Sequence, residues 1–449
     1  MCHTYGAKFI ALLLAIVSVC LFGYILHCQS GIFREFEAVL LSLQWMLLVC
    51  LAVWCGTFFF LTFGLNDLPL IGLLLIAITA YFVGYAEPWL EPDALTLLAG
   101  VTLGKGARFL LRPKAKGQML KEEGEMQENI PEFRIQNSEF RIFLVGLVVL
   151  LAFSSWWHLD MSNNIYHGPR WMGLWDNPNI YGMLMSAGLT LAAGLLAGRL
   201  KAEGRRRKLL QVVLFIAAGM IGTGLLFSYS RGAWVGTAIG LLYLAKAYAK
   251  FKWRFVLPGI FVVAAVVCFF WHSTANTDQW YLKRMDLSRP SAQHRVAAWN
   301  AAVQMMRDHP FGVGWNKAVG TYEKNYSPPE NGASAITTND YLMLGTQLGL
   351  PGLVCFVAYV ALCFCKVGRA SRLSSEARQR EHKKTFASAS PTRAGETPAL
   401  LHECGEGIRI ACRAGAMALF VAFWFDGGLF KLATASVFWI LLELGTAQT

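Results

Sequence analysis

The stretch LLFSYSRGAWVG, residues 225–236, joins two apolar segments through a short polar turn that contains an arginine. Ser228, Ser230 and Gly232 frame Arg231 in this turn. A guanidinium group inside or at the edge of a bilayer costs about 2.5–3.5 kcal/mol by insertion measurements. The stretch predicts two membrane helices joined at one face. Its arginine either reaches towards lipid headgroups or binds an anion.

The whole chain has the composition of a membrane protein. Of its 449 residues, 55% are hydrophobic and only 15% are charged. Soluble domains carry about 25% charged residues. Apolar runs long enough to cross a bilayer recur along the sequence. The composition therefore predicts an all-α polytopic membrane protein.

About twelve runs have the length that a bilayer core requires. The first run follows Lys8 without a small-residue cleavage site, so we interpret it as a transmembrane helix and not as a signal peptide. Lys105 and Arg108 interrupt the fourth run. The predicted spans are 9–26, 38–61, 68–85, 93–111, 142–159, 179–198, 209–228, 232–248, 255–271, 340–365, 408–425 and 428–446.

Basic residues in the short loops predict the orientation. The loops at 198–208 and 246–254 together hold ten Lys or Arg residues, whereas the loops on the other side hold only Arg34 and Arg170. Positive charge accumulates on the cytoplasmic side. An even number of spans then places both termini in the cytoplasm of a multi-pass inner-membrane protein.

Four segments follow from this topology. Residues 1–141 hold the N-terminal spans and a cytoplasmic loop, and residues 142–271 hold the central spans with Arg231. Residues 272–338 form one large periplasmic loop that contains helices, and residues 339–449 hold the C-terminal spans. Within the last segment, 366–407 has the composition of a disordered cytoplasmic linker.

The periplasmic loop contains an amphipathic pattern. In residues 294–310, Val296, Trp299, Val303 and Met306 recur at helical spacing before a proline. This pattern predicts a helix at the membrane interface, with those four residues on its apolar face.

Several polar residues are predicted to share the outer face. Asn177 caps the sixth span ahead of a proline, and the free N–H groups of a helix start attract anions. Two arginines, Arg231 and Arg295, bind phosphate oxygens well because the planar guanidinium fork is always charged. The simplest ligand for such a face is a lipid-linked diphosphate. The substrate-contacting candidates are Ser230, Asn177, Asn179, Thr338, Asn339 and Asp340.

Other features of this face have ordinary interpretations. Arg170 is predicted to be a surface residue, and Asp426 to pair locally with Lys431 across the turn DGGLFK. The glycines in HPFGVGWN, residues 309–316, indicate a turn and a weak phosphate-loop candidate. Gly349 and Gly352 favour close helix packing.

An ordered set of these motifs resembles the O-antigen ligase and polymerase family. The set comprises NPN at 177–179, SYSRGAWVG at 228–236, Arg295 with Trp299, PFGVG at 310–314 and NDYLMLGTQLGLPG at 339–352. The resemblance covers roughly residues 170–355. It implies the C-type glycosyltransferase fold and transfer of a glycan from undecaprenyl diphosphate to an acceptor hydroxyl on the periplasmic face, as in lipopolysaccharide synthesis.

The resemblance also implies roles for residues. Arg231 and Arg295 would bind the diphosphate and stabilise the charge that develops on it. No metal or other cofactor is expected, since cationic side chains neutralise the leaving group. The implied partners are the lipid-linked glycan donor, a lipid or glycan acceptor and membrane lipids, and not nucleic acid.

One departure from the family pattern concerns the general base. Thr338 stands where the family has a histidine, and Gln347 stands where it has a glutamate. Among the remaining residues, His294 is the substitute base that we predict, because its reference pKa of about 6.5 suits proton transfer. Its competing interpretation is a solvated surface histidine.

Two alternatives to a ligase stay open. A polymerase of O-antigen or exopolysaccharide would use the same donor. A lipid-linked glycan flippase or secondary transporter would place charges near the membrane midplane and repeat its halves. The sequence has no evident internal repeat, and its polar residues collect at one face. These observations favour the enzyme.

Overall fold

The computed structural model describes residues 67–84, 92–110, 137–156, 170–173, 175, 177–198, 204–248, 290–315, 317–326, 339–387 and 396–446. Within these ranges the regular structure is helical. The helices are α1 Leu68–Gly84, α2 Pro92–Leu110, α3 Asn137–Trp156, α4 Pro178–Ala197, α5 Gly204–Phe227, α6 Arg231–Ala247, α7 Pro290–Asp308, α8 Lys317–Asn325, α9 Asp340–Ala387, α10 Glu396–Ala422 and α11 Leu432–Thr446.

The chain is a helical membrane protein. Three helical segments have the length and hydropathy to cross a bilayer: Pro178–Ala197, Lys208–Phe227 and Asp340–Cys365. Each predicted span that falls on described residues coincides with a helix. The predicted spans 9–26, 38–61 and 255–271 lie outside the described residues, so the number twelve and the orientation stay predictions.

Small residues allow α6 to pack closely on α10. A Cβ atom at Gly236 would lie 2.3 Å from the carbonyl oxygen of Ala418, and one at Gly240 would lie 2.9 Å from that of Ala414. Gly232 meets the Cβ atom of Phe425 in the same way, at 2.7 Å. The backbone that approaches Gly236 and Gly240 is that of α10.

Hydrogen bonds bring several helix ends together at one end of the bundle. The N–H of Trp171 donates to the carbonyl of Phe227, the last residue of α5, at 2.9 Å. The N–H of Asp340 donates to the carbonyl of Phe423, just after α10, at 3.1 Å. The starts of α4, α6 and α9 consequently lie beside the end of α10, and we call this the α10 end of the bundle.

A buried network of ion pairs connects α2 and α11 at the opposite end of the bundle from the α10 end. Lys105 Nζ lies 2.8 Å from Asp67 and 3.0 Å from Glu443, and Arg108 Nη1 lies 3.1 Å from Glu443. Lys105 and Glu443 are almost fully buried. The two charges that interrupt the fourth predicted span are thus compensated by carboxylates, as membrane burial requires.

The ninth helix is broken near its start. Gly349 has a φ of +75°, and Pro351 has no N–H to donate to the carbonyl of Gln347. The N–H of Leu350 leaves the helix and donates to the carbonyl of Pro310 at 2.9 Å. Gly349 was predicted to serve helix packing. Close packing is present, since a Cβ atom there would lie 2.5 Å from the carbonyl oxygen of Pro310, but the approaching segment is the loop after α7 and not another helix. The positive φ of the residue also favours glycine.

The loop after α7 docks into this break. The N–H of Val313 donates to the Thr346 carbonyl at 2.9 Å, and the N–H of Gly314 donates to the Gln347 carbonyl at 3.0 Å. Both carbonyls are available because the helical bonds that would normally use them are missing. The loop of residues 309–314 therefore fixes the end of α7 against α9, and we call it the docked loop.

Two further predictions are corrected. The segment 366–407 was predicted to be a disordered linker, but α9 continues to Ala387 and α10 begins at Glu396. Residues 376–384, EARQREHKK, consist almost entirely of Ala, Arg, Glu, Gln and Lys, which are strong helix formers.

The other correction concerns the apolar face of α7. The amphipathic helix is present, but Val296 and Val303 are exposed, whereas Ala298, Ala302 and Met305 are fully buried. Small alanines let α7 approach its neighbours more closely than branched side chains would. Of the four residues predicted for the apolar face, Met306 is buried and Trp299 packs partly buried against the core, whereas Val296 and Val303 lie outside the buried face.

Candidate functional site

The carboxylate of Asp426 lies in the turn after α10 and receives bonds from three other segments. Asn179 Nδ2 donates to Asp426 Oδ1 at 2.9 Å, and Ser230 Oγ donates to Oδ2 at 3.4 Å. Arg295 Nη2 lies 3.3 Å from Oδ1. Asp426 was predicted to pair with Lys431, and the structure corrects this, since Asp426 is buried and Lys431 is exposed.

Arg295 is held by a main-chain carbonyl group as well as by a carboxylate. Its Nη1 donates to the carbonyl of Phe425 at 2.8 Å, while Nη2 contacts Asp426. The side chain keeps 31% of its surface exposed. The guanidinium is thus oriented by the protein and still accessible to a ligand.

Arg170 is not the simple surface residue that the sequence predicted. Its Nε donates to the carbonyl of Ser228 at 2.9 Å, and its Nη2 donates to Asn179 Oδ1 at 2.6 Å. Asn179 therefore bridges Arg170 to Asp426. Two arginines that are far apart in sequence, Arg170 and Arg295, share one Asn179–Asp426 pair.

Arg231 lies beside the same pair. Ser230 caps α6, and its Oγ accepts a hydrogen bond from Ala233 N–H at 3.4 Å while it also contacts Asp426. On the other side of Arg231, a Cβ atom at Gly232 would lie 3.1 Å from Asp426 Oδ2. Arg231 is therefore flanked by two residues that approach Asp426. We call these six residues the arginine cluster: Arg170, Asn179, Ser230, Arg231, Arg295 and Asp426.

Asn177 has the capping role that its sequence predicted. Its Oδ1 accepts a hydrogen bond from Asn179 N–H at 2.8 Å, and Pro178 occupies the first helical position of α4. The cap brings Asn179 to the start of the helix, where its side chain reaches Arg170 and Asp426. A contact between Asn177 and substrate stays a prediction.

Asp340 and the side-chain oxygen of Asn339 accept hydrogen bonds within the protein, whereas the buried Asn339 Nδ2 has no hydrogen-bond partner. Asn339 Oδ1 caps α9 by accepting from Tyr341 N–H at 3.0 Å. Asp340 Oδ2 accepts from the N–H groups of Gly428 and Leu429 at 2.7 and 2.8 Å. Both residues are buried. Asp340 thereby fixes the turn between α10 and α11, and hence Asp426, whereas Asn339 caps its own helix. A substrate contact at either residue stays a prediction.

The predicted base and its neighbour are only partly described. His294 lies in α7 directly before Arg295. Its side chain lies outside the part of the chain that the structure describes, as do Thr338 and its surroundings. The role predicted for His294 is neither supported nor contradicted.

The glycine-rich loop is a turn, as predicted, with Gly312 and Gly314 at φ values of +83° and +92°. Its alternative role as a phosphate loop has no support in the geometry. The N–H groups of residues 312–314 donate to carbonyl oxygens of the protein itself. Such a loop cannot turn those donors towards a phosphate without leaving α9.

The charges of the arginine cluster suit an anionic ligand. Burial raises the pKa of Asp426, and the nearby Arg295 and Arg170 act in the opposite direction. Two guanidinium groups, those of Arg170 and Arg295, accompany this single carboxylate. Arg231 begins α6 between Ser230 and Gly232, and the starts of α4 and α6 add the positive ends of two helix dipoles. Among the described residues no three His, Cys, Asp or Glu side chains converge as a metal site would require.

Residues 212–357 match the family model described as O-antigen ligase. The resemblance predicted from the sequence is confirmed over this region, which includes Ser230, Arg231, Arg295, Asn339 and Asp340. The match supports an enzyme of ligase or polymerase type that acts in polysaccharide biosynthesis. A comparison with curated proteins found no match.

Proposed function

We propose that the chain is a membrane glycosyltransferase that moves a glycan from undecaprenyl diphosphate to an acceptor hydroxyl at the periplasmic face of the inner membrane. The observation that carries this proposal is the arginine cluster. It gathers the guanidinium groups of Arg170 and Arg295 around one carboxylate at the α10 end of a helical bundle, next to the helix start that carries Arg231 and within or beside a region that matches the O-antigen ligase family.

The cluster has the chemistry that a diphosphate leaving group requires. In the proposed reaction the bond between the anomeric carbon and the diphosphate oxygen breaks, and that oxygen keeps the electron pair. The acceptor oxygen forms the new bond and loses its proton. Preorganised cations near the leaving oxygen stabilise the charge that develops there, and each such donor is worth several kcal/mol, roughly 3–4 in the best-studied cases.

Arg231 and Arg295 are the diphosphate ligands in this proposal. Arg295 is aligned by Phe425 and Asp426 before the substrate arrives, so little orientation is lost on binding. Ser230 and Asn179 hold Asp426 in turn. His294 is proposed as the group that takes the acceptor's proton, because it adjoins Arg295 in the chain and an imidazole is the side chain best suited to proton transfer near neutral pH.

A transfer assay with the purified, reconstituted protein tests this function. Proteoliposomes would receive an undecaprenyl-diphosphate-linked oligosaccharide with a labelled sugar, together with extracted lipid A core or the oligosaccharide itself as acceptor. Transfer to the lipid core identifies a ligase, and extension of the lipid-linked chain identifies a polymerase.

Matched arginine variants decide whether the cluster performs the reaction. Arg231→Ala should abolish transfer at near-normal protein abundance. Arg231→Lys should also be poor, since an ammonium group cannot reproduce the planar fork. Arg307→Ala, at an exposed position near the end of α7, should match wild type. Full transfer by Arg231→Ala would show that this residue is only a membrane anchor.

A further inference from the structure

An exposed tryptophan stands beside the arginine cluster without any role in the chemistry above. Trp424 keeps 44% of its surface exposed, although the residues around it in the turn are buried or half-buried. The next residue, Phe425, accepts the hydrogen bond from Arg295, and the one after it is Asp426. A diphosphate bound to Arg295 would therefore bring its directly attached groups close to Trp424.

Two aromatic neighbours hold the indole of Trp424 in place. The ring centroid of Tyr341 lies 5.7 Å from that of Trp424, and the ring of Trp299 meets it edge-on at 5.9 Å. Tyr341 is itself fixed, because it is buried and its hydroxyl donates to the carbonyl of Phe420. Trp299 lies one helical turn after Arg295 on α7. The indole is thus rigid, partly exposed and tied to the same elements as the arginine.

We propose that Trp424 is a stacking surface for the sugar ring that is attached directly to the donor's diphosphate. The identity of this ligand rests on the proposed function. The C–H groups on one face of a pyranose carry partial positive charge, and the face of an indole carries the negative part of its quadrupole. A fixed aromatic face next to a phosphate-binding arginine would therefore select a glycosyl diphosphate over a bare diphosphate.

The isoprenoid on the other side of the diphosphate has a separate surface available. Val235, Ile239 and Leu242 are exposed on α6, and they follow Arg231 at roughly helical spacing along the length of that helix. Trp424, in contrast, lies beyond Ala422, the last residue of α10. Its place at the end of the bundle, and not along its flank, favours the sugar over the lipid tail.

Binding experiments on the purified protein separate the sugar contact from catalysis. The probes are dimethyl pyrophosphate, called pyrophosphate below, and a water-soluble hexose 1-diphosphate methyl ester, which has the sugar but no isoprenoid. Both are diesters with the same charge, so they differ only in the sugar. Wild type should bind the hexosyl compound more tightly than pyrophosphate. Trp424→Ala should lose about fivefold to tenfold for the hexosyl compound, as expected for one aromatic contact, and bind pyrophosphate like wild type.

Two matched variants identify the kind of contact. Trp424→Phe keeps an aromatic face and should retain most of the preference, whereas Trp424→Leu keeps apolar area without that face and should behave like Trp424→Ala. Equal binding by the leucine variant and wild type would overturn the proposal and indicate a purely apolar or interfacial contact.

The two proposals can fail separately. Equal affinity of wild type for both probes would overturn the sugar contact and leave the diphosphate site standing. A protein that shows the sugar preference but transfers no glycan would overturn the proposed reaction and leave the sugar contact standing.

Discussion

The Nη2 atom of Arg295 lies 3.3 Å from Oδ1 of Asp426, across 131 positions of sequence. This ion pair connects α7 to the turn between α10 and α11. Asn179 extends the connection to Arg170, so that one buried carboxylate organises two arginines. The relationship indicates that Asp426 positions cations and is not itself exposed to substrate.

Asp426→Asn tests this positioning role. The substitution keeps the size of the side chain but removes the charge that holds Arg295, so we expect weaker donor binding and a fall of about tenfold or more in transfer. Donor binding and transfer by the purified protein are the measurements. Asp308→Asn, at an exposed position, is the control. Unchanged donor affinity in Asp426→Asn would contradict the positioning role.

The pH dependence of donor binding gives a second prediction. Because burial raises the pKa of Asp426, its carboxylate becomes neutral at a higher pH than an ordinary carboxyl group, whose pKa is about 4. Lowering the pH through that raised pKa should release Arg295 and weaken donor binding. Asp426→Asn should bind the donor weakly across the same pH range, without this loss of affinity at low pH (the acid limb). An identical acid limb in the variant would assign the titration to another group.

Arg170 gives a third prediction, because the structure assigns it a bridge that its sequence did not indicate. Arg170→Ala should leave Asn179 without its partner at Oδ1 and lower donor affinity more than Arg307→Ala does. Arg170→Lys should recover little of this loss, since one ammonium group cannot reach both Ser228 and Asn179 as the fork does. Donor affinity comparable to wild type in Arg170→Ala would exclude this arginine from the site.

Local signals explain what could be predicted from the sequence. The apolar runs predicted the helices, most with ends within about five residues of those observed, although α9 extends well beyond 365 and α10 begins well before 408. Asn177 with Pro178 predicted the cap of α4. Residues 225–236 predicted two helices joined by a short polar turn, and α5 ends at Phe227 while α6 begins at Arg231. Each of these features depends on residues that are close together in the chain, where spacing and side-chain type carry the information.

The role of Asp426 as the carboxylate that the other site residues contact could not be predicted in this way. Asp426 is five residues before Lys431, so a local ion pair was the natural interpretation, yet its partners Asn179 and Ser230 lie 247 and 196 positions away. The break in α9 had a local signal in Gly349 and Pro351, but nothing nearby showed that another loop would use the freed carbonyls. The periodicity of a single sequence carries no information about tertiary contacts between residues that are far apart in the chain.

His294→Ala tests the proposed base. We expect transfer to fall by roughly 10²–10⁴-fold, the loss typical of a missing proton acceptor, while donor binding stays near wild type. Thr338→Ala should be mild, because a hydroxyl group does not act as a base near neutral pH. Normal transfer by His294→Ala would remove this histidine from the mechanism and favour a reaction driven by the arginines and the leaving group.

The orientation of the bundle is tested by reporter fusions. Fusions after Lys208 and after Lys384 should report cytoplasm, and one at Ala301 should report periplasm, in line with the basic loops. A cytoplasmic result at Ala301 would place α7 and Arg295 on the wrong side for a periplasmic reaction.

The docked loop gives the last prediction, in which two glycines serve as a matched pair. A Cβ atom at Gly312 would lie 2.4 Å from the carbonyl oxygen of Gln347, and the residue's φ of +83° is unfavourable for any other side chain. Gly312→Ala should therefore push the loop away from the break in α9, release the end of α7 and shift Arg295 away from Asp426. We expect a lower thermal unfolding midpoint in detergent and a loss of donor affinity.

The control is Gly320→Ala in α8. A Cβ atom at Gly320 would meet nothing within 4 Å, so this variant should be neutral or slightly stabilising, because alanine is the better helix former. Lost stability with unchanged donor affinity in Gly312→Ala would mean that the loop supports the fold without positioning Arg295.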